Sequence, residues 1–261
     1  MEIFIRILSN ILFLAAGLLG SIGAFLLYNR LPPAWFLDYG ENVPKAVNDP
    51  ARPSPRMKRF PEGIWFCVIL LFVFFLFYIQ CGLSLLLVCN LFSVFFLSYV
   101  CVADVKTRII PDQFIIGLLF ASLLFMVDDL SFIQESGGTW YRGILMRLLG
   151  GAAGGLILWL VKTLGSALFK QEAVGMGDVK LLFACGLLAG FSGVFWVIAL
   201  SFLFAFLPAL NRLIHLTQSK QHPASAKQLP FAPFIVAATT LYLLFPAEFA
   251  FVSHWYGNLT F

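Results

Sequence analysis

Long apolar stretches recur along this chain, and they limit what it can fold into more than any other feature. A helix needs about 20 mostly apolar residues to cross roughly 30 Å of hydrocarbon. Runs of that length extend from Ile7 to Tyr28, through 64–102, and onward to about 251. Charged residues are 11% of the chain, against about 25% in an ordinary soluble domain. Mean hydropathy is +0.92. The stretch from Ile7 to Tyr28 outruns a signal-peptide core, and no small-residue cleavage site follows it, so it reads as a retained helix. The expected fold class is all-α, a polytopic membrane protein with the lipid bilayer as its solvent.

About eight transmembrane helices are expected, near 3–28, 64–79, 83–103, 112–127, 142–169, 178–189, 194–214 and 231–251. Residues 64–102 exceed one span and are interrupted by Gln80, Cys81 and Gly82, while Gly190, Ser192 and Gly193 mark a second short turn. Charge placement tests this map independently. With the N-terminus outside, the cytosolic segments are 29–63, 104–111, 162–180 and 212–229, and they hold fourteen of the seventeen Lys and Arg residues. Only Arg6, Arg142 and Arg147 remain outside, where the 128–135 connection carries Asp128, Asp129 and Glu135. That bias obeys the positive-inside rule. An even helix count puts the C-terminus outside as well.

The net charge of +4 is thus explained by topology, and no nucleic-acid partner is expected. The five cysteines, Cys67, Cys81, Cys89, Cys101 and Cys185, lack C-x-x-C spacing and read as packing residues. His215, His222 and His254 are scattered, so no metal site is expected. Gly150, Gly151, Gly154 and Gly155 form a doubled small-x-x-x-small pattern that lets helix backbones approach. A phosphate-binding loop would need a preceding strand, and none is expected. Gly20 and Ala24 form a weaker version of the packing pattern in the first helix.

Carboxylates at the membrane are costly and mark functional positions. Asp104 closes the third helix and Asp178 opens the sixth, and the topology puts both at the cytosolic face. Two carboxylates at one depth are what water-based peptide hydrolysis needs: one takes a proton from water and the other, protonated, polarises the scissile carbonyl. A helix N-terminus stabilises an anion and a C-terminus does not, which assigns Asp178 as base and Asp104 as acid. A close dyad nevertheless titrates as a unit. Taken alone, Asp178 also reads as an N-cap and Asp104 as an interfacial charge beside Lys106 and Arg108.

Flanking residues decide between these readings. Asp104 is followed by Ile110-Pro111-Asp112, Asp178 lies in Gly175-Met176-Gly177-Asp178-Val179-Lys180, Pro230-Phe231-Ala232-Pro233 opens the last helix, and Gly20-Ser21 through Asn29-Arg30-Leu31-Pro32 ends the first. In these four pieces and their order the chain resembles the type IV prepilin peptidases, of the GxGD class of membrane aspartic proteases. The resemblance implies a cytosol-facing endopeptidase in the cytoplasmic (inner) membrane of a prokaryote. Its partners would be prepilins or pseudopilins, which join a short basic leader to an apolar helix. It implies that Asp104 and Asp178 are catalytic, with Gly175 and Gly177 allowing close backbone approach, and with Pro111, Asp112 and Lys180 in support.

The loop from Leu31 to Glu62 departs from the family pattern because it lacks the two C-x-x-C pairs of many members. Residues 1–63 therefore read as a reduced N-terminal part, and 64–261 as the peptidase core. Cleavage is expected to need no cofactor. Methylation of the new N-terminus, if retained, would use S-adenosylmethionine without zinc, and Asp38, Tyr39, Gly40, Glu41 and Asn42 are the loop residues available for it. Pro208-Ala209-Leu210 matches a motif of presenilin-like and signal-peptide-peptidase-like proteases, the nearest rival reading. A proton-coupled transporter would need internal repeats, and none is evident. Oligomeric state, natural substrate and pathway stay open.

Overall fold

The structure is a computed structural model, and it describes residues 2–37, 54–136, 140–169, 174–218 and 230–257. Among these residues there is no strand. The elements are α1 (Glu2–Arg30), a 3-10 turn (Pro33–Phe36), a π turn (Arg59–Gly63), α2 (Ile64–Cys81), α3 (Leu85–Thr107), α4 (Asp112–Ser136), α5 (Trp140–Phe169), α6 (Met176–Gln218), α7 (Ala232–Leu244) and α8 (Pro246–Gly257).

Six of these helices, α1 to α6, contain segments long and apolar enough to cross a membrane. The apolar part of α6 runs for 36 residues, about 54 Å of helix and nearly twice the hydrocarbon thickness. It does not run straight. Gly190 has φ +73° and ψ 178°, outside helical space. A Cβ built on Gly154 would lie 2.8 Å from the Leu182 carbonyl oxygen and 3.0 Å from Val194 Cγ2. Residues on either side of Gly190 therefore sit at the same level beside α5, so α6 doubles back as the sequence expected. The helix expected at 231–251 is broken at Phe245 (φ −127°, ψ 48°), because Pro246 disfavours helical geometry in the residue before it. At 13 residues, α7 is only about 20 Å long.

The other early break is also at a glycine. Gly82 has φ +61°, and Ser84 then caps α3 by accepting the Leu87 N–H at 3.2 Å. The core lies between α3, α4, α6 and α7, where Leu97, Leu118, Leu181 and Ile235 are fully buried.

Small residues bring the helices together. A Cβ on Gly150 would meet the Gly186 carbonyl oxygen at 2.5 Å, so the α5 glycines serve backbone packing against α6. In α1 only Ala24 of the expected pair packs. Gly20 is exposed with open space around it, whereas Ser21, Ala24 and Tyr28 are buried and Gly17 lies 3.0 Å, measured from a built Cβ, from Leu71. Ser21, Ala24 and Tyr28 follow Gly17 at helical spacing, and that stripe excludes position 20. All five cysteines are free thiols, and Cys89 and Cys185 are buried.

One end of the bundle gathers Arg30, Lys106, Arg108 and Lys180. At the other end Arg147 holds the turn of α6: Nε and Nη2 donate to Asp129 at 2.5 and 3.0 Å, and Nη1 donates to the Leu188 carbonyl at 2.6 Å. A cation on the last carbonyls before Gly190 suits a helix C-terminus.

Candidate active site

Two chain reversals at the basic end position the aspartates. Asp104 sits in the last turn of α3. That helix stops at Arg108, which takes the left-handed conformation (φ 59°, ψ 23°) and donates its N–H to the Asp104 carbonyl at 2.9 Å. The turn leads through Ile109 and Ile110 to Pro111, whose carbonyl accepts the Phe114 N–H at 3.1 Å as α4 begins. Asp178 sits in the first turn of α6, with Oδ2 3.5 Å from a Cβ built on Gly175.

Asp104 is 6% exposed and Asp178 is half-buried, and the charge of Asp104 reaches Asp178. The Ala232 N–H donates to Asp104 Oδ2 at 3.1 Å. Ala232 opens α7, so Asp104 faces the N-terminus of another helix, while Asp178 is at the N-terminus of its own. The helix-end argument that assigned base and acid separately treated Asp104 as facing only a C-terminus. With α7 in place that distinction falls away.

The supporting residues join the two motifs. Lys180 Nζ donates to both Asp112 carboxylate oxygens, at 2.9 and 3.1 Å, tying α6 to α4. A Cβ on Gly177 would lie 3.2 Å from Ile110 Cβ, so the glycine admits the Ile110-Pro111 turn. Gly175 has only Asp178 Oδ2 and Gly177 N within 4 Å of a built Cβ. The 230–233 turn contacts Asp104 directly. Pro208, by contrast, lies inside the second half of α6.

Other contacts escaped the sequence reading. Lys106 Nζ donates to Glu62 at 2.5 Å. The Asn29 side chain accepts the Met57 N–H at 2.8 Å and donates to the Met57 carbonyl at 3.3 Å, closing the segment after α1. Asn29 belongs to the quoted Asn-Arg-Leu-Pro piece, and this was the available signal. Asp38 through Asn42 lie outside the described residues. Among the described residues, no group of three His, Cys, Asp or Glu is arranged to hold a metal.

Residues 91–210 match the model of the type IV leader peptidase family, a span that includes both aspartates, Asp112 and Lys180. Over this region the chain is similar to that family. It is 29% identical over 135 residues to a prepilin leader peptidase/N-methyltransferase of Xanthomonas campestris pv. campestris, covering 52% of this chain and 42% of that protein. A protein of the same description from Aeromonas salmonicida is 30% identical over 153 residues, covering 59% of this chain and 46% of that protein. Another from Pectobacterium carotovorum is 33% identical over 99 residues, covering 38% and 32%. The chain thus spans less than half the length of these leader-peptidase relatives. No solved structure gives a significant match.

Proposed function

We propose that the chain is a membrane aspartic endopeptidase that removes the basic leader from type IV prepilins or pseudopilins at the cytosolic membrane face. The arrangement that carries this reading is Asp104 in the last turn of α3 and Asp178 in the first turn of α6, at the basic end of the bundle, with the Ala232 amide on Asp104. One carboxylate takes a proton from water as the water attacks the scissile carbonyl, and the other donates to the carbonyl oxygen. The first then passes its proton to the leaving amine as the C–N bond breaks, and the second recovers a proton from a hydroxyl of the tetrahedral intermediate as the new carboxyl group forms. The contact of Asp104 with Ala232 rather than Pro208 favours this reading over the presenilin-like one.

On this reading residues 64–261 form the peptidase core, 1–63 a reduced N-terminal part, and the basic end faces the cytosol with both termini outside. Pro111, Asp112, Gly175, Gly177 and Lys180 hold the dyad's two loops together. The relatives are described as N-methyltransferases as well, and for this chain methyl transfer from S-adenosylmethionine would be a separate step. No residue is assigned to the methyl donor.

The test replaces each aspartate with Asn, which keeps size but cannot cycle a proton. Either variant, present in the membrane at the normal level, should lose at least about 100-fold in cleavage of a co-expressed prepilin. The double variant should be no worse than either single one, as expected for residues acting as a unit. Near-normal cleavage by a folded Asp104→Asn or Asp178→Asn protein would end the aspartic-peptidase reading.

A further inference from the structure

A groove of about 700 Å³ lies between α2, α3 and α7 and opens sideways on the bundle surface. It runs from Glu62 in the π turn to Val73 in α2, and along α7 from Pro233 to Leu244. Eleven residues of rise make it about 16 Å long, half the hydrocarbon thickness. Its walls are almost wholly apolar, and its charged lining residues, Glu62 and Lys106, pair with each other at the rim.

The groove borders the aspartate site. Leu97 and Cys101 line it, and they stand seven and three residues before Asp104 on the same face of α3. Pro233 lines its other wall, next to Ala232, whose amide holds Asp104. Its lining includes small side chains on both sides, Ser98 and Cys101 on α3, Ala237 and Thr240 on α7. Helices in lipid associate through such small residues, because apolar burial gives no preference for a helix over lipid tails.

We propose that this groove seats the apolar transmembrane helix of the peptide substrate, which enters sideways from the bilayer. An eleven-residue helix about 10 Å across and 16 Å long fills about 1,300 Å³, so the groove receives about half its girth. The helix lies on the membrane side of Asp104, which sets the scissile bond at the basic end and leaves the leader beyond it. This inference rests on the peptidase reading and names the substrate surface of that site.

The experiment uses the full chain in proteoliposomes with two substrates. One carries the leader and its apolar helix, and the other is a short soluble peptide spanning only the cleavage point. Ala237→Trp and Thr240→Trp fill the groove away from the dyad. Each should raise KM for the helical substrate about tenfold, with kcat and cleavage of the short peptide unchanged. Leu123→Trp, on the exposed face of α4, should change neither. Equal losses on both substrates, or no change on the helical one, would overturn the proposal. A cysteine at Ile69, in a chain otherwise free of cysteine, should form a disulfide with a cysteine in the substrate helix. A photo-crosslinker at the same position that captures lipid alone, with substrate present, would also overturn it. If the unmodified protein cleaves neither substrate, the peptidase reading fails, and the Ile69 crosslink alone then decides the groove.

Discussion

The backbone N–H of Ala232 donates to Asp104 Oδ2 at 3.1 Å, linking positions 128 residues apart in the chain. Ala232 is fully buried, so the short side chain at this position is itself a condition of the contact. Ala232→Gly retains the donor and the space, and cleavage should stay within about twofold of normal. Ala232→Leu overpacks a closed site at a cost of about 1–3 kcal/mol, pushing α7 away from Asp104. Its kcat/KM should fall about ten- to 100-fold at matched protein levels. Equal activity of the two variants would show that the contact is dispensable.

The Lys180–Asp112 pair ties α6 to α4, yet its side chains are 36% and 40% exposed. Exposed pairs contribute about 0.2–1 kcal/mol. Asp112→Asn and Lys180→Met should each lower cleavage only about two- to fivefold, and the double variant should match the singles. An additive loss, measured as kcat/KM on one substrate, would mean that the two residues act separately.

Glycines in α5 and α1 should differ sharply. Gly154→Ala places a methyl 2.8 Å from the Leu182 carbonyl oxygen and should destabilise the protein by about 1–3 kcal/mol. Gly20→Ala meets nothing within 4 Å and should be neutral or slightly stabilising, since Ala is the better helix former. Thermal unfolding in detergent micelles compares them directly.

Arg147 should matter to folding rather than to chemistry. It holds Asp129, the Leu188 carbonyl and, at 4.9 Å, the Phe125 ring. Arg147→Lys loses the bidentate fork, and Arg147→Ala leaves Asp129 without this partner at a cost of about 1–3 kcal/mol. Both variants should unfold at lower temperature, while any folded fraction cleaves at the normal rate. Asp128→Asn should leave cleavage unchanged.

The proposed orientation rests on charge and is open to direct measurement. In a cysteine-free background, Ser54→Cys at the basic end and Leu83→Cys at the Gly82 turn, both at exposed positions, should label from opposite sides. Leu83→Cys should react in intact cells, and Ser54→Cys only after the membrane is opened. Labelling of both from one side would refute the proposed topology.

Much of the architecture was legible in the sequence because its causes are local. Apolar length makes a span, Gly82 and Gly190 permit the positive φ that breaks one, and clustered Lys and Arg mark one end. The two aspartate motifs were legible as well, since each is a short run of residues at a helix end. Three features were decided only by the tertiary structure. A lipid-exposed helix is apolar on every side, so hydrophobic period gives it no direction; the packed stripe of Gly17, Ser21, Ala24 and Tyr28 therefore could not be told from one through Gly20. Ala232 on Asp104, Asn29 on Met57 and Arg147 on Leu188 join residues far apart in sequence, and no local preference encodes such a pairing. Helix dipoles show the difference most clearly. Sequence placed Asp104 at the C-terminus of its own helix, and packing brought the N-terminus of α7 onto its carboxylate, because an electrostatic environment belongs to a position in space and not to a position in the chain.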